Sequence, residues 1–248
     1  MKAGHAWVFG ASHGIGRALS EQLHKAGWSL ALSARTPNTL QPLCEAVEAQ
    51  CIPCDATDRD AVNNATQFVF QHQRPDLIIF NVGDYEQMPA SRFNAELCER
   101  LNKTNYLSAC YLLENVIPLM KGHGGTIALN ASASSYRGLP NGGAYSAPKA
   151  ALVNLAESLR PELAEMGIDI RVVNPGFVKT RLTDRNDFEM PFLLEPEEAA
   201  KEILDGLLNS KRFDINFPRA LTWPLRLLRM LPDQLFFGVI KRKVLRHE

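Results

Sequence analysis

The sequence predicts an α/β protein, a doubly wound, mostly parallel sheet with helices on both faces, and three observations carry that expectation. Short apolar runs of strand length alternate with longer amphipathic stretches from residue 5 to about residue 217. This is the rhythm of βαβ units, whose right-handed crossovers force a parallel sheet. The first apolar run leads directly into Gly10-Ala11-Ser12-His13-Gly14-Ile15-Gly16 and then into an amphipathic stretch, so a glycine-rich turn joins strand to helix. Finally, the 248 residues are 46% hydrophobic and 22% charged, with no internal linker, repeat or low-complexity segment. One soluble domain spanning 1–248 fits that composition.

Taken in order, His5-Ala6-Trp7-Val8-Phe9 forms a short buried strand, and the helix after the glycine turn runs to about Lys25. A second strand over 29–33 ends at Ala34-Arg35. A helix over 38–49 and a strand over 50–53 precede Asp55. A helix over 60–72 leads to the strand Leu77-Ile78-Ile79-Phe80 and then to Asn81-Val82-Gly83. Two helical stretches meet at Tyr106 and end near Met120. The strand over 126–130 ends at Ala131-Ser132, and the helix carrying Tyr145 runs to about Met166. The strand over 169–173 ends in Asn174-Pro175-Gly176. Pro196-Glu197-Glu198 opens a helix, with proline and acids where a helix start favours them. Residues 213–217 form the last strand. In open sheets of this kind the active groups sit at the carboxyl ends of the strands.

The glycine turn is the first chemical signal. Glycines let the backbone approach a pyrophosphate, and the helix behind them offers free N–H groups and the positive end of its dipole. The second signal is Arg35. Dinucleotide folds place an acid about 20 residues beyond the glycines for the ribose 2′-hydroxyl, or an arginine for a 2′-phosphate. No Asp or Glu occurs from Ser29 to Arg35, which favours NADP(H) over NAD(H). His13 either helps the same phosphate or has no role beyond its place at the helix start.

The third signal is Tyr145-Ser146-Ala147-Pro148-Lys149. Residues four apart lie one helical turn from each other. A phenol has a reference pKa of about 10, and bringing it near 7 takes ~4 kcal/mol of bias toward phenolate. An ammonium about 4 Å away supplies ~1 kcal/mol in water but ~4 kcal/mol at an effective dielectric of about 20. The pair therefore makes an acid–base catalyst only where bulk water is kept out.

Composition excludes several other classes. The formal net charge is zero, which gives no general attraction for nucleic acid. Five cysteines do not form a disulfide framework, and Cys51-Ile52-Pro53-Cys54 lacks a second pair for a metal. The start of the sequence reads as a strand and a glycine turn, so no signal peptide is expected, and no apolar run is long enough to span a bilayer. A reducing cytoplasmic setting is the expectation. The charge is unevenly spread, because residues 211–248 hold nine Lys/Arg against three Asp/Glu, a net of +6. In this C-terminal extension apolar residues interleave with arginines. It either lies in a membrane interface or packs over the substrate pocket or another subunit with its charges snorkelling.

Together these motifs resemble the short-chain dehydrogenase/reductase family in its shorter, single-domain, Rossmann-like branch, over about residues 6–180. Gly10-x-x-x-Gly14-x-Gly16, enclosing Ser12, His13 and Ile15, resembles the family's phosphate turn. Asp55 matches the residue that contacts adenine. Phe80-Asn81-Val82-Gly83 resembles the Asn-Asn-Ala-Gly stretch that props the central sheet. Asn105 matches the helix asparagine of the catalytic tetrad, and Ser132 precedes Tyr145 by the family's 13 residues. Pro175-Gly176-Phe177-Val178-Lys179-Thr180 matches the Pro-Gly segment, whose threonine contacts the nicotinamide amide. The resemblance implies interconversion of a carbonyl and a secondary alcohol. Ser132 would bond the substrate oxygen and Tyr145 would be the general acid. Lys149 would lower the tyrosine pKa and bond the nicotinamide ribose, and Asn105 would position a water leading from Lys149 to solvent. The family also implies a homodimer or homotetramer, and it places a substrate loop at 181–194, which mixes charged residues with Phe188, Met190, Phe192 and Leu193; the apolar, basic tail suggests an apolar substrate or lipidic surroundings.

Three residues depart from the pattern. Phe9 replaces the threonine that ties the turn to the fourth strand, and Phe80 replaces the first asparagine of the sheet motif. Pro148 precedes the lysine, which sets the helix start within a few residues of Tyr145 because proline lacks an N–H. The first two keep a rival open: a dinucleotide-binding sensor or scaffold without turnover, with the basic tail as its partner site. A dehydratase or epimerase with the same Tyr/Lys pair would need a larger second domain than this length accommodates.

Overall fold

The structure is a computed structural model that describes residues 3–243. Its centre is a seven-stranded sheet in the order β3-β2-β1-β4-β5-β6-β7, and all six pairings are parallel. The strands are β1 His5–Phe9, β2 Ser29–Ala34, β3 Gln50–Pro53, β4 Leu77–Phe80, β5 Gly125–Asn130, β6 Ile168–Pro175 and β7 Asp214–Phe217. The strand order reverses between β1 and β4, which opens the crevice where such sheets take a ligand. The central strands are mostly apolar and buried, as coverage of both faces requires, with a few polar residues such as Asn130 and Asn174 near their carboxyl ends.

One face carries α1 (Gly14–Lys25), α2 (Pro37–Ala46) and α7 (Pro196–Asn209), which pack around Leu19, Leu23, Leu40 and Ile203. The other carries α3 (Arg59–His72), α4 (Ala95–Asn102), α5 (Ser108–Met120) and α6 (Gly143–Glu165). The doubly wound single sheet of the sequence analysis is therefore present, and it is wholly parallel. Boundaries moved where backbone conformation decided them. Helix α2 stops at Ala46 rather than 49, and Glu48 takes the left-handed φ of 50°. The break expected at Tyr106 is a π-helical turn over Lys103–Leu107, between α4 and α5.

The two aromatic departures compensate each other. Phe9 and Phe80 are register partners across β1 and β4, both buried, with ring centroids 6.0 Å apart. The turn is fastened to the end of β4 by Asn81. Its backbone N–H donates to the Phe9 carbonyl at 2.8 Å, and its side-chain amide donates to the Gly10 carbonyl at 3.2 Å. Phe9 has no hydroxyl for the threonine's own bond, and Asn81 holds the turn to β4. Pro148 sits in the second turn of α6, and the helix starts two residues before Tyr145.

The C-terminal extension folds into α8 (Arg219–Met230) and α9 (Asp233–Lys243), and residues 244–248 of that stretch lie outside the described residues. Thr222, Phe236 and Ile240 are buried and pin the pair to the body. A Cβ at Gly176 would stand 2.6 Å from Leu221, so α8 packs directly behind the Pro-Gly segment. The five cysteines are free. Burial pushes the Cys54 thiol up to about 12, which leaves it without thiolate chemistry at neutral pH.

Candidate active site

The glycine turn is built to let another group come close. Gly10 and Gly14 hold φ values of 86° and 52°, in the left-handed region. Gly16 faces the turn so closely that a Cβ there would lie 2.1 Å from the Gly10 carbonyl oxygen. The Gly10 and Ala11 N–H groups both donate to the Ser33 carbonyl, at 2.7 and 3.1 Å, which ties the turn to the end of β2. Helix α1 then begins with no side-chain cap and no acid in its first turn. Its first N–H groups and dipole are available to an anion. The Ser12 hydroxyl hydrogen-bonds the His13 ring at 2.8 Å. Burial, then Arg181 and Arg17, hold His13 below the usual histidine range, so the turn stands beside two cations while its histidine stays neutral. The Ile15 side chain packs into the core.

Arg35 is exposed just past β2, two residues beyond Ser33, and makes no ion pair among the described residues. Asp55 stands past the end of β3 and accepts from the Thr57 N–H at 2.9 Å and the Thr57 hydroxyl at 2.8 Å, both through Oδ1. Asn81 is a hub: it holds Gly10 through its amide and accepts from the Asn130 amide at 2.5 Å. The Pro-Gly segment folds back over the turn, where the Thr180 methyl would be 2.8 Å from a Cβ on Gly14. Pro175 ends β6, the Gly176 N–H donates to the Phe217 carbonyl at 2.7 Å, and Val178 is buried.

The four groups expected to act on substrate converge at the ends of β4 and β5. Ser132 follows β5 in extended backbone and stands beside Tyr145, close enough for its hydroxyl to draw the phenol pKa down. Tyr145 is half-buried, with its ring edge-on to Tyr85 at 5.1 Å. Lys149 is 3% exposed, its Nζ donates to the Asn130 carbonyl at 2.8 Å, and it lies 5.8 Å from the Tyr145 ring centroid. Asn105, on the π turn, accepts from the Asp84 N–H at 3.2 Å and donates to the Asp84 and Leu101 carbonyls at 2.9 Å. Gly83 is the floor between the last two. A Cβ there would sit 3.1 Å from Asn105 Oδ1 and 3.4 Å from Lys149 Nζ. A π turn in a helix commonly marks such a site, because it turns a side chain out of the helical register.

Shelter acts on both members of the Tyr/Lys pair. Burial pushes the Tyr145 phenol up to about 12, the Ser132 hydrogen bond draws it back, and Tyr85 adds to the rise. Burial alone brings Lys149 down to about 7. The sequence-based expectation was that the ammonium would lower the phenol; within the protein itself the phenol is held high and the lysine low. Desolvation penalises each charged form, and neither residue offsets the other's cost. At neutral pH the tyrosine keeps its proton and the lysine is poised to take or release one.

Several residues of the site were not singled out from sequence. Asn174, fully buried, accepts from the Ser132 N–H at 3.2 Å and the Ser135 hydroxyl at 3.0 Å. It donates to Asp214 at 2.9 Å, and Asp214 in turn accepts from the Tyr136 hydroxyl and pairs with Arg226 at 3.4 Å. Asn174 lay in view beside the Pro-Gly motif; Asp214 and Arg226 carried no local signal. Arg185 of the 181–194 loop reaches Asp84 at 3.0 Å, and Gln87 reaches Asp187 at 3.0 Å. That loop is thereby tied across the site. Asn130 Oδ1 and Ser134 Oγ are buried without a partner, and such atoms call for a bound group or water.

A family model described as short chain dehydrogenase matches residues 4–190. The chain belongs to the short-chain dehydrogenase family. This short-chain dehydrogenase is 32% identical to an uncharacterized oxidoreductase of Myxococcus xanthus over 247 residues, covering 96% of each chain. An uncharacterized oxidoreductase of Staphylococcus epidermidis is 26% identical over 215 residues, covering 85% of this chain and 94% of that one. Among solved structures, a short chain dehydrogenase from Burkholderia cenocepacia in complex with NADP superposes with a TM-score of 0.86 at 23% identity, over 96% of this chain and 98% of that one. A short-chain dehydrogenase from Streptomyces avermitilis gives 0.84 at 23% identity, over 99% and 98%. As a short-chain dehydrogenase, the protein is an NAD(P)-dependent oxidoreductase of Rossmann-like fold. The glycine cradle, the uncapped α1 and the two partnerless buried oxygens fit a dinucleotide.

Proposed function

We propose that this enzyme interconverts a carbonyl and a secondary alcohol, with Ser132, Tyr145, Lys149 and Asn105 as its working residues and NADP(H) preferred over NAD(H). The observation that carries this reading is Tyr145 beside Ser132, whose hydroxyl draws the phenol pKa down, one turn from a buried Lys149 bonded to the Asn130 carbonyl. Two neighbouring hydroxyls can both reach one carbonyl oxygen. The bound dinucleotide supplies the hydride in the reducing direction and takes it in the other. Ser132 donates a hydrogen bond to the substrate oxygen, where negative charge develops. Tyr145 gives that oxygen its proton, and a phenol held near 12 is still the stronger acid beside an alkoxide. Lys149, brought to about 7, returns a proton toward the phenol from solvent, and Asn105 sets the geometry of the route.

NADP(H) preference rests on Arg35, free of ion pairs among the described residues, and on the absence of any acid from Ser29 to Arg35. An apolar substrate is favoured by the 181–194 loop, where Phe188, Phe192 and Leu193 are exposed beside the site. The remaining cofactor contacts are Gly10, Ser12, His13, Gly14, Ile15, Gly16, Asp55, Asn81, Gly83, Pro175, Gly176, Val178 and Thr180. We place the enzyme in the cytoplasm as a homodimer or homotetramer; no helix among the described residues is long and apolar enough to cross a membrane. The experiment is an NADPH-consumption screen over aldehydes and acyl and steroidal ketones, with Tyr145→Phe as blank. Turnover should vanish in Tyr145→Phe while NADPH binding persists, and Arg35→Ala should weaken NADPH far more than NADH. Turnover that survives in Tyr145→Phe, or equal losses of the two dinucleotides in Arg35→Ala, would refute the respective assignment.

A further inference from the structure

Helices α8 and α9 turn an unusual surface to solvent. Trp223, Leu227 and Met230 recur at helical spacing on one stripe of α8, at 57%, 61% and 81% exposure, and Leu235 and Phe237 are exposed on α9. The inner side of α8 is satisfied by Thr222, which is buried, and by Leu221 against Gly176. The stripe is open to solvent on the rim of a cleft against α6, and exposed apolar patches of this kind mark an interaction site.

The charge around the stripe indicates what covers it. Residues 219–243 carry six Lys/Arg and one acid, Asp233. That acid is ion-paired to Arg137 of the body, whose guanidinium also stacks 4.3 Å from the Phe236 ring. Arg226 is taken by Asp214. Arg219, Arg229, Lys241 and Arg242 make no ion pair among the described residues, so the segment presents uncompensated positive charge beside exposed apolar side chains. A cleft of about 400 Å³ runs between α8 and α6, with Val153, Phe213, Trp223 and Leu227 on its walls and Arg226 and Arg229 among its lining residues. Acidic groups line it too: Asp214, held by Arg226, and Glu157.

We propose that α8 and α9 dock this protein on an anionic phospholipid surface, with the Trp223/Leu227/Met230 stripe entering the interface and the arginines and lysines meeting the headgroups. Interfacial helices combine an apolar stripe with flanking basic residues, and tryptophan prefers the headgroup level. A second copy of this chain is the weaker occupant. A two-fold contact would set the same patch against itself, so the positive tail would face positive charge. An anionic lipid surface reverses that sign and repels the rest of the chain, which carries the balancing excess of acid. The proposal is independent of the carbonyl chemistry.

The test uses the full chain and vesicles of phosphatidylcholine alone or with one part phosphatidylglycerol to three of phosphatidylcholine. Flotation should show binding to the mixed vesicles, weakened by salt, and little to phosphatidylcholine alone. Trp7 and Trp28 are buried, so a blue shift in emission on adding mixed vesicles reports Trp223 and should disappear in Trp223→Phe. Leu227→Glu/Met230→Glu should abolish flotation. Arg229→Gln/Lys241→Gln should weaken it by roughly tenfold or more, the scale of two basic side chains at an anionic surface. Turnover of a soluble substrate should be unchanged in both variants, which keeps this result separate from the catalytic reading. No association with mixed vesicles, or undiminished flotation of Leu227→Glu/Met230→Glu, would overturn the proposal. So would a change of sedimentation in that variant with vesicle binding unaltered, because it would make the stripe a contact between copies.

Discussion

Replacing Lys149 by methionine should make the protein more stable while destroying its activity. The lysine is almost fully buried, and burial takes its pKa from 10.5 to about 7. At 1.36 kcal/mol per unit, holding the ammonium there costs about 5 kcal/mol relative to the unfolded chain. Methionine fills the same space without charge. It also gives up the 2.8 Å bond to the Asn130 carbonyl, and an unpaired buried acceptor costs about 1–3 kcal/mol. The net expectation near pH 7 is a gain of about 3 kcal/mol. The pH dependence identifies the cause. From about pH 7 to 10.5 the unfolded lysine holds a proton that the folded one has released, so wild-type stability rises with pH across that window. Below about pH 7 the cost is fully present. The variant lacks this rise, and its advantage should shrink by about 2–3 kcal/mol between pH 7 and 9. Above pH 9 the Cys44 and Cys54 thiols, both pushed up to about 12, remove stability from either protein. The assay is urea unfolding of both proteins at several pH values without added dinucleotide. A variant no more stable than wild type, or an advantage flat with pH, would refute a lysine held near neutrality by burial.

The other expectations concern separate parts of the site. Gly16→Ala puts a methyl 2.1 Å from the Gly10 carbonyl, so the turn must open, and kcat/KM for NADPH should fall roughly 100-fold, the effect of a ~1 Å displacement; unchanged steady-state kinetics would contradict the cradle. Asp214→Ala removes the acceptor of Tyr136 and Asn174. It should cost about 3 kcal/mol in thermal or urea unfolding and lower kcat with KM little altered, since Asp214 positions the Ser132 backbone through Asn174; a variant with normal kcat would remove that role. Phe80→Asn, which restores the family's residue, should destabilise by about 3–5 kcal/mol, because it buries an amide opposite Phe9. Equal stability would show that the two aromatics are not a matched pair.

What could be read from the chain was what is local. The order of βαβ units, the glycine turn and the helical spacing of Tyr145 and Lys149 depend on residues within a few positions of each other. Ser132 and Tyr145, 13 residues apart, stand near enough for the serine to draw the phenol pKa down. Pro148 likewise placed the start of α6, because a missing N–H acts within one turn. The tail was legible as basic and apolar, but not as two helices with one face buried and one bare.

Only the tertiary structure decided the rest. Phe9 and Phe80 looked like two independent losses and proved to be one contact across 71 positions. The chain from Ser132 through Asn174 to Asp214 and Arg226 joins four elements that no sequence spacing relates. The protonation of the Tyr/Lys pair came out opposite to the expectation from two charges considered alone. Helical spacing sets which side chains are neighbours, but a pKa depends on every atom that displaces water around them, and those atoms come from strands and loops far along the chain.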